Sequence, residues 1–253
     1  MGANDSMETI VIWSRKGGVG KTATAHALGA ALMKRKKRVL FIDCDGQSNL
    51  TLTLKADEEA RTMYEVFTKE AKLAQAIQKT ECGHICAANE MLQTLDNDLE
   101  PDILLKELER ESSLYDYCVI DTPAALGKIT INCLIAADKV IIPVEADLYS
   151  IQGIPRILET LETIKKSFNT RAKISGFLVT RYSNRSNLSR QNLESLRSIA
   201  KSQGTKVFNT PIRECIAVKE AKQQQKDLFT YAPKSNAALD YDDFVNEFLK
   251  SRK

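Results

Sequence analysis

The stretch SRKGGVGKTA (residues 14–23) decides the fold. The apolar run IVIW (residues 10–13) precedes it, and the alanine-rich run TATAHALGAALM (residues 22–33) overlaps its end and continues beyond it. A strand that enters a glycine-rich turn and leaves it as a helix is typical of a phosphate-binding loop. Glycine lets the backbone approach phosphate oxygens closely, and the N-terminus of the following helix favours negative charge. The pattern therefore predicts a nucleotide site at the start of the first helix.

The loop carries the side chains that a nucleoside triphosphate needs. Backbone N–H groups at residues 18–22 can point at the phosphates. Lys21 can reach the β- and γ-phosphates, and the Thr22 hydroxyl can ligate Mg²⁺. The general pattern G-x-x-x-x-G-K-[ST] nevertheless requires glycine at position 15, where this chain has Arg15. A second lysine, Lys16, stands directly before the glycines.

A phosphate loop with two lysines resembles the deviant Walker A motif, K-G-G-x-G-K-T, of the ParA/MinD family of ATPases. The resemblance implies that ATP or ADP and Mg²⁺ are the ligands. It also implies that Lys21 binds the phosphates of its own subunit, whereas Lys16 crosses the interface of an ATP-bound homodimer to the partner's phosphates. A second cation near the transferring phosphoryl group would stabilise its charge. The implied nucleotide contacts in the loop are Lys16, Gly17, Gly18, Val19, Gly20, Lys21, Thr22 and Ala23.

The second motif is RVLFIDCDGQSNLT (residues 38–51), in which Asp43 and Asp45 follow an apolar strand. Ligands of open α/β sheets bind at the carboxyl ends of strands. The segment resembles the family's V-L-L-I-D-x-D-P-Q-x-N. The resemblance implies that Asp45 positions or activates the attacking water and that Asp43 lies beside the nucleotide, in the switch and dimer region. Gly46 stands in place of the usual proline, and Ser48 in place of the usual glycine.

The third motif is YDYCVIDTPAALG (residues 115–127), in which an apolar strand ends at Asp121. The resemblance identifies Asp121 as the Walker B carboxylate, which contacts Mg²⁺ through water. Thr22 and Asp121 are therefore the predicted metal site. The catalytic residues implied by the three motifs are Lys16, Lys21 and Asp45.

Apolar strands alternate with longer amphipathic segments along the chain. Several strands are continuous apolar runs, as expected when both faces of a parallel sheet are covered. The pattern predicts an α/β fold, a doubly wound, mostly parallel sheet with helices on both faces, in one domain over residues 1–253 with a flexible leader at residues 1–8. Strands are predicted at residues 9–13, 38–43, 84–88, 117–121, 139–144, 174–180 and 206–208, and helices at residues 21–36, 62–79, 101–112, 151–168, 188–202 and 236–249.

The net charge of +3 is unevenly distributed. Residues 1–150 contain 17 Lys and Arg against 23 Asp and Glu, whereas residues 151–253 contain 19 against 10. Such asymmetry is as compatible with a basic solvated surface as with a face that meets an anionic polymer or membrane. The partition branch of the family binds DNA without sequence preference, which requires cations that neutralise phosphates.

Two segments of the basic half resemble that branch. They are TRYSNRSNLSRQNL (residues 180–193) and TPIRECIAVKEAKQQQKDL (residues 210–228). The resemblance implies a Soj-type partition ATPase, stimulated by a ParB-like centromere-binding partner, in the cytoplasm and associated with the bacterial nucleoid. The vicinity of Pro211 and Arg213 is the predicted site of contact with the adenine. The predicted DNA contacts are Arg181, Arg185, Arg190, Lys219 and Lys222.

Two alternatives belong to other functional classes. One is a membrane-associated, MinD-like positioning ATPase. Its basic amphipathic last helix is poorly matched by ALDYDDFVNEFLKSRK (residues 238–253), because the acidic polar face would be repelled by anionic lipid. A last helix packed on the core, without stable membrane association, is the favoured prediction. The other alternative is a nucleotide-gated adaptor for a protein cargo that does not bind DNA.

Overall fold

The computed structural model describes residues 7–95 and 99–251. Within them, seven strands form one sheet in the order β3-β4-β2-β5-β1-β6-β7. All neighbouring pairs are parallel except β3 and β4, which are antiparallel. The strands are β1 (Glu8–Ile12), β2 (Val39–Asp43), β3 (Ile77–Thr80), β4 (Gly83–Cys86), β5 (Tyr117–Asp121), β6 (Lys139–Glu145) and β7 (Lys173–Thr180).

Helices cover both faces of the sheet, which confirms the predicted doubly wound α/β fold. The face that carries Leu40 and Ile42 of β2 packs against α3 to α8, and the face that carries Phe41 packs against α1, α2 and α9 to α11. The helices are α1 (Lys21–Lys34), α2 (Asn49–Thr53), α3 (Met63–Phe67), α4 (Leu73–Ala76), α5 (Ile103–Glu111), α6 (Lys128–Ala136), α7 (Leu148–Phe168), α8 (Asn187–Ser202), α9 (Ile216–Gln223), α10 (Leu228–Tyr231) and α11 (Asn236–Lys250), with a 3₁₀ helix at Glu90–Thr94.

The order of the strands brings the three motifs together. β1 lies between β5 and β6, and β5 lies between β1 and β2. In the parallel register, Asp121 at the end of β5 is level with Ile12 of β1 and with Asp43 of β2. The phosphate loop, the Walker B aspartate and the Asp43–Asp45 segment therefore emerge side by side from one edge of the sheet.

The single helix predicted over residues 62–79 is wrong, because the segment forms two short helices, α3 and α4, and then enters β3. Thr62 caps the short helix α3 through a capping box with Glu65, and Lys69 then adopts a positive φ of 66° that ends the helical path. After the one-turn helix α4, the chain enters β3 and pairs with β4. The spacing of apolar residues in this segment is compatible with a helix. Pairing with β4 nevertheless makes residues 77–80 a strand.

Two other predictions need correction. Residues 206–208 form no strand; they contribute an isolated bridge between Phe177 and Val207, beside β7. Met7 and Glu8, predicted to belong to a flexible leader, are part of the fold. Met7 is buried and its N–H donates to the Ser112 carbonyl at 3.2 Å, and Glu8 begins β1. Residues 1–6 of that leader lie outside the described residues.

Helix α11 packs its apolar face on the core, as predicted. Phe244 and Phe248 are buried, and the Tyr241 hydroxyl lies 3.2 Å from that of Thr24 in α1. Leu239 of the same helix is half exposed. Within the described part of the chain, no helix is both long enough and apolar enough to span a bilayer.

Candidate functional site

The phosphate loop leaves β1 and turns directly into α1. Gly18 and Gly20 have φ angles of 75° and 86°, the left-handed region that glycine adopts at least cost. Gly20 is the N-cap of α1, and no side chain of the described residues caps the helix. The Thr180 hydroxyl of β7 donates to the carbonyl of Val19 at 2.8 Å and so braces the loop from the neighbouring strand. The loop thus presents an uncapped helix N-terminus, which favours a phosphate group.

Lys21 is the most buried cation of the loop. Its side chain lies against the loop, and its ammonium group donates to the Lys16 carbonyl at 3.4 Å. Burial lowers the pKa of Lys21, and the nearby carboxylates of Asp121 and Asp45 oppose that shift. A buried ammonium beside a glycine-rich turn is suited to an anionic ligand.

Asp121 is fully buried at the end of β5. Its Oδ1 accepts the backbone N–H of Thr122 at 3.1 Å, whereas its Oδ2 is buried without a hydrogen-bond partner among the described residues. Burial raises the pKa of Asp121 well above its ordinary value, and the neighbouring Asp43 adds to the rise; Thr22 and Lys21 oppose it. A buried carboxyl oxygen that lacks a hydrogen-bond donor is free to accept a metal-bound water, and a bound cation would favour the charged form. Asp121 and the Thr22 hydroxyl therefore fit the predicted Mg²⁺ site.

Asp43 and Asp45 differ in their surroundings. Asp43 is fully buried, and its Oδ2 accepts both the N–H and the hydroxyl of Thr51 at 2.8 Å. Its Oδ1 accepts the backbone N–H of Asp45 at 3.1 Å, and burial raises the pKa of Asp43 to about 6. Asp43 thus ties the end of β2 to α2 and supports the Asp45 segment. Its predicted contact with the nucleotide remains a prediction.

A cavity of about 330 Å³ adjoins the loop. It is lined by the phosphate loop and Asp45, by apolar side chains of α9 and α10 together with Tyr241, and by Lys219, Lys222 and Lys226. A mostly apolar pocket with a few convergent polar groups is typical of a small-molecule site. The predicted site residues that line it are Gly17, Gly18, Gly20, Lys21, Thr22, Ala23, Asp45, Lys219 and Lys222.

Pro211 and Arg213 do not line this cavity. They lie in the segment beside the end of β7, where Tyr182 pairs with Arg213 in an isolated bridge. The guanidinium of Arg213 is held by both carboxylate oxygens of Asp240 in α11, at 2.6 to 3.1 Å. These contacts assign Arg213 a structural role here, and its contact with the adenine remains a prediction.

Lys16 points toward carboxylates of its own subunit. Its ammonium lies 2.6 Å from Oε2 of Glu145 and 2.8 Å from Oδ2 of Asp147. Glu145 ends β6, and Asp147 caps α7 by accepting the N–H of Ser150. Partial burial opposes the charged form, but Asp147 and Glu145 together raise the pKa of Lys16. The side chain is nearly half exposed and can exchange these partners at modest cost.

The predicted DNA contacts lie on two parts of the fold. Arg185 and Arg190 are exposed at and just before the start of α8, and Arg181 pairs with Glu145 at 3.2 Å. Lys219 and Lys222 are exposed on α9, where Lys222 donates to Oδ1 of Asn49 in α2 at 2.7 Å. Lys219 and Lys222 therefore lie next to the nucleotide cavity, whereas Arg185 and Arg190 do not line it.

His26 is a lining residue that sequence reasoning missed. It lies four residues after Thr22 and three after Ala23, so the helical period alone places it on the same face of α1. Its Nε2 is buried and has no hydrogen-bond partner in the part of the chain that the structure describes, and burial lowers the pKa of His26 to about 4.

Acid should destabilise the protein through His26. Because the folded-state pKa is depressed, the unfolded chain binds the proton first, and stability falls as the pH drops below about 6.5. Between pH 7 and pH 5 we expect a loss of about 2 kcal/mol from this residue. Urea unfolding measures the free energy of unfolding at the two pH values. Between pH 7 and pH 5, His26→Val should lose about 2 kcal/mol less than the wild type. Equal losses of stability in the wild type and in His26→Val would show that His26 does not cause the destabilisation by acid.

Comparison with known proteins agrees with the geometry. The profile of the AAA domain family matches residues 7–174. The chain is 35% identical over 248 residues to the sporulation initiation inhibitor protein Soj of Bacillus subtilis, covering 94% of this chain and 96% of that protein. It is 34% identical over 242 residues to the chromosome-partitioning ATPase Soj of Thermus thermophilus, covering 95% and 94%. Among solved structures, the ATP complex of a Cyanothece McdA variant superposes with a TM-score of 0.84 at 28% identity, covering 97% of each chain.

Proposed function

The chain belongs to the Soj/ParA family of ATPases, and on that premise we propose that it is a DNA-partition ATPase. Mg-ATP drives formation of a face-to-face homodimer that binds DNA without sequence preference. A ParB-like centromere-binding partner stimulates hydrolysis, which releases the DNA. The protein acts in the cytoplasm, on the bacterial nucleoid, without stable attachment to a membrane.

The proposed dependence of DNA binding on the nucleotide is supported by the position of two lysines. Lys219 and Lys222, two of the predicted DNA contacts, line the same cavity as Lys21 and Thr22. Lys222 also contacts Asn49, at the start of the helix that follows the Asp45 segment. A ligand that fills the cavity would therefore rest against α9, and a shift of α9 would redirect the cations of Lys219 and Lys222. This arrangement supports the proposed coupling of nucleotide occupancy to DNA binding.

The hydrolytic site is assembled from the three motifs. Thr22 and, through water, Asp121 would hold Mg²⁺, which would supply positive charge beside the bound phosphates. Lys21 binds the phosphates from the loop side. Asp45, which is only partly buried and lines the cavity, orients the attacking water.

The intrinsic rate of ATP hydrolysis should be slow, because a single subunit lacks the second lysine that its partner would supply. In this structure Lys16 is paired with Glu145 and Asp147 of its own subunit. In the proposed dimer it instead contacts the partner's phosphates. The transition-state charge is then stabilised only after dimerisation.

The experiment that tests the function is binding to a nonspecific DNA duplex, first with ADP and then with ATP and Mg²⁺, across a salt series. Binding that requires ATP and weakens steeply with salt supports the partition ATPase, since released counterions are the signature of phosphate contacts. No binding in either nucleotide state, together with an intact ATP-dependent dimer, would contradict it. That result would favour the nucleotide-gated adaptor for a protein cargo.

Arg185→Ala or Arg190→Ala should weaken binding to all duplexes alike. Removing one phosphate contact should flatten the slope of log K against log salt by about one unit, because roughly one counterion is retained per phosphate. The measurement is fluorescence anisotropy on two duplexes of unrelated sequence over the salt series. Arg61→Ala, which removes an exposed arginine from the acidic half of the chain, is the matched control. An unchanged slope in both arginine variants would show that Arg185 and Arg190 face away from DNA.

A further inference from the structure

Gln93 contacts the turn that carries Asp45 from outside the nucleotide cavity. It belongs to the 3₁₀ helix Glu90–Thr94, and its Nε2 donates to the carbonyl oxygen of Gly46 at 3.0 Å. We propose that Gln93 is a positioning residue for ATP hydrolysis: it holds the turn so that Asp45 faces the phosphate loop. The inference rests on the proposed function, because it assigns Asp45 to the attacking water.

The turn is anchored at its two ends by the motif itself. The N–H of Asp45 donates to Oδ1 of Asp43 at 3.1 Å, which fixes the incoming end to β2. The N–H of Ser48 donates to the carbonyl of Asp45 at 2.8 Å, which closes a four-residue turn before α2. Gly46 is the second residue of that turn, and Gln93 contacts it from the side of the 3₁₀ helix.

A side chain at position 46 would meet Gln93 in its present position. Gly46 is not among the glycines with positive φ, so its backbone conformation does not require glycine. A Cβ atom placed there would instead lie 2.6 Å from Cγ of Gln93, closer than real contacts permit. The Gln93 stem therefore occupies the place of a side chain at position 46, and the two residues are complementary in shape as well as in hydrogen bonding.

This pair replaces a constraint that the family usually obtains from proline. Proline at the second position of a turn presets φ, whereas glycine there leaves the turn more conformational freedom. The amide of Gln93 restores a fixed position by bonding the Gly46 carbonyl. Without that bond we expect Asp45 to spend less time in the hydrolytic geometry, which lowers the rate of the chemical step and leaves ATP binding to the loop unchanged.

The test is a double-mutant cycle in ATP hydrolysis by the full chain at saturating Mg²⁺. Gln93→Ala should lower kcat about tenfold, with KM for ATP unchanged within about twofold. Gly46→Ala should have a similar effect, because the new Cβ displaces the Gln93 side chain. The double variant should be no slower than Gln93→Ala, since both changes break the same interaction. A normal kcat in Gln93→Ala, or effects that multiply in the double variant, would overturn the proposal.

Two further variants separate the causes of a slow rate. Thr94→Ala removes the neighbouring hydroxyl on the same 3₁₀ helix, which donates to the Met91 carbonyl at 2.7 Å, and should leave kcat unchanged. A loss equal to that of Gln93→Ala would assign the effect to the helix and overturn the specific role of Gln93. Asp45→Ala, measured in the same assay, separates the role of Asp45 in hydrolysis from the role of Gln93 in positioning it. If it hydrolyses ATP normally, the assignment of Asp45 fails; if it is inactive while Gln93→Ala is normal, only the Gln93 proposal fails.

Discussion

Lys16→Ala is expected to abolish ATP-dependent dimerisation while each subunit still binds ATP. Lys21 and the uncapped N-terminus of α1 remain in place to hold the subunit's own phosphates. In the proposed dimer Lys16 would cross the interface, so the variant would lose this cation once in each subunit. A hydrogen bond to a charged group contributes about 1.5–3 kcal/mol. The dissociation constant of the dimer should therefore rise by roughly two to four powers of ten.

The measurement is light scattering of the wild type and the variant with ADP and then with ATP and Mg²⁺, combined with ATP binding measured on the subunit. Arg15→Ala is the matched control, because it removes the adjacent exposed cation of the same loop. The variant should remain monomeric in ATP at concentrations at which the control dimerises. A dimer of normal affinity would show that Lys16 belongs to its pair with Glu145 and Asp147, and would remove it from the interface.

Most of the sheet was predictable from the sequence, because the central strands are continuous apolar runs. The strand Tyr117–Asp121 begins and ends at the predicted residues, and β2 and β7 differ from the prediction by a single residue at one end. Such strands are buried on both faces, so local composition and tertiary environment agree. Where composition and tertiary environment disagree, as at Lys69 and at the start of β3, the prediction of a single helix over residues 62–79 was wrong.

The site was predictable where its residues are contiguous. The phosphate loop and the two aspartate motifs each lie at the end of one strand, and parallel topology alone brings them to one edge. The other residues that line the cavity are distant from these motifs in the sequence. Tyr241 and α9 follow the loop by about two hundred residues, and Lys16 finds its carboxylates 129 and 131 residues away. No local pattern encodes such contacts, because they depend on how helices pack on the finished sheet.

Asp45→Ala should stop hydrolysis while ATP binding and dimerisation persist. A positioned general base or water-orienting group contributes about 10²–10⁴-fold to a rate, so kcat should fall by roughly that factor. Asp45 contributes little to the fold: it is only partly buried, and its Oδ1 accepts one local N–H, that of Gln47 at 3.1 Å. The free energy of unfolding should therefore change by no more than about 0.5 kcal/mol. Single-turnover hydrolysis and urea unfolding measure the two quantities.

Asp43→Ala is the informative contrast, because the two aspartates are two residues apart and differ in burial. Asp43 is fully buried and bonds the N–H and hydroxyl of Thr51, so its loss leaves buried donors without an acceptor. We expect it to cost about 1–3 kcal/mol of stability for each donor left unsatisfied. A stable, ATP-bound and hydrolytically inactive Asp45→Ala beside a destabilised Asp43→Ala would assign chemistry to the first carboxylate and support of the turn to the second. Normal hydrolysis by Asp45→Ala would instead require that another group orient the water.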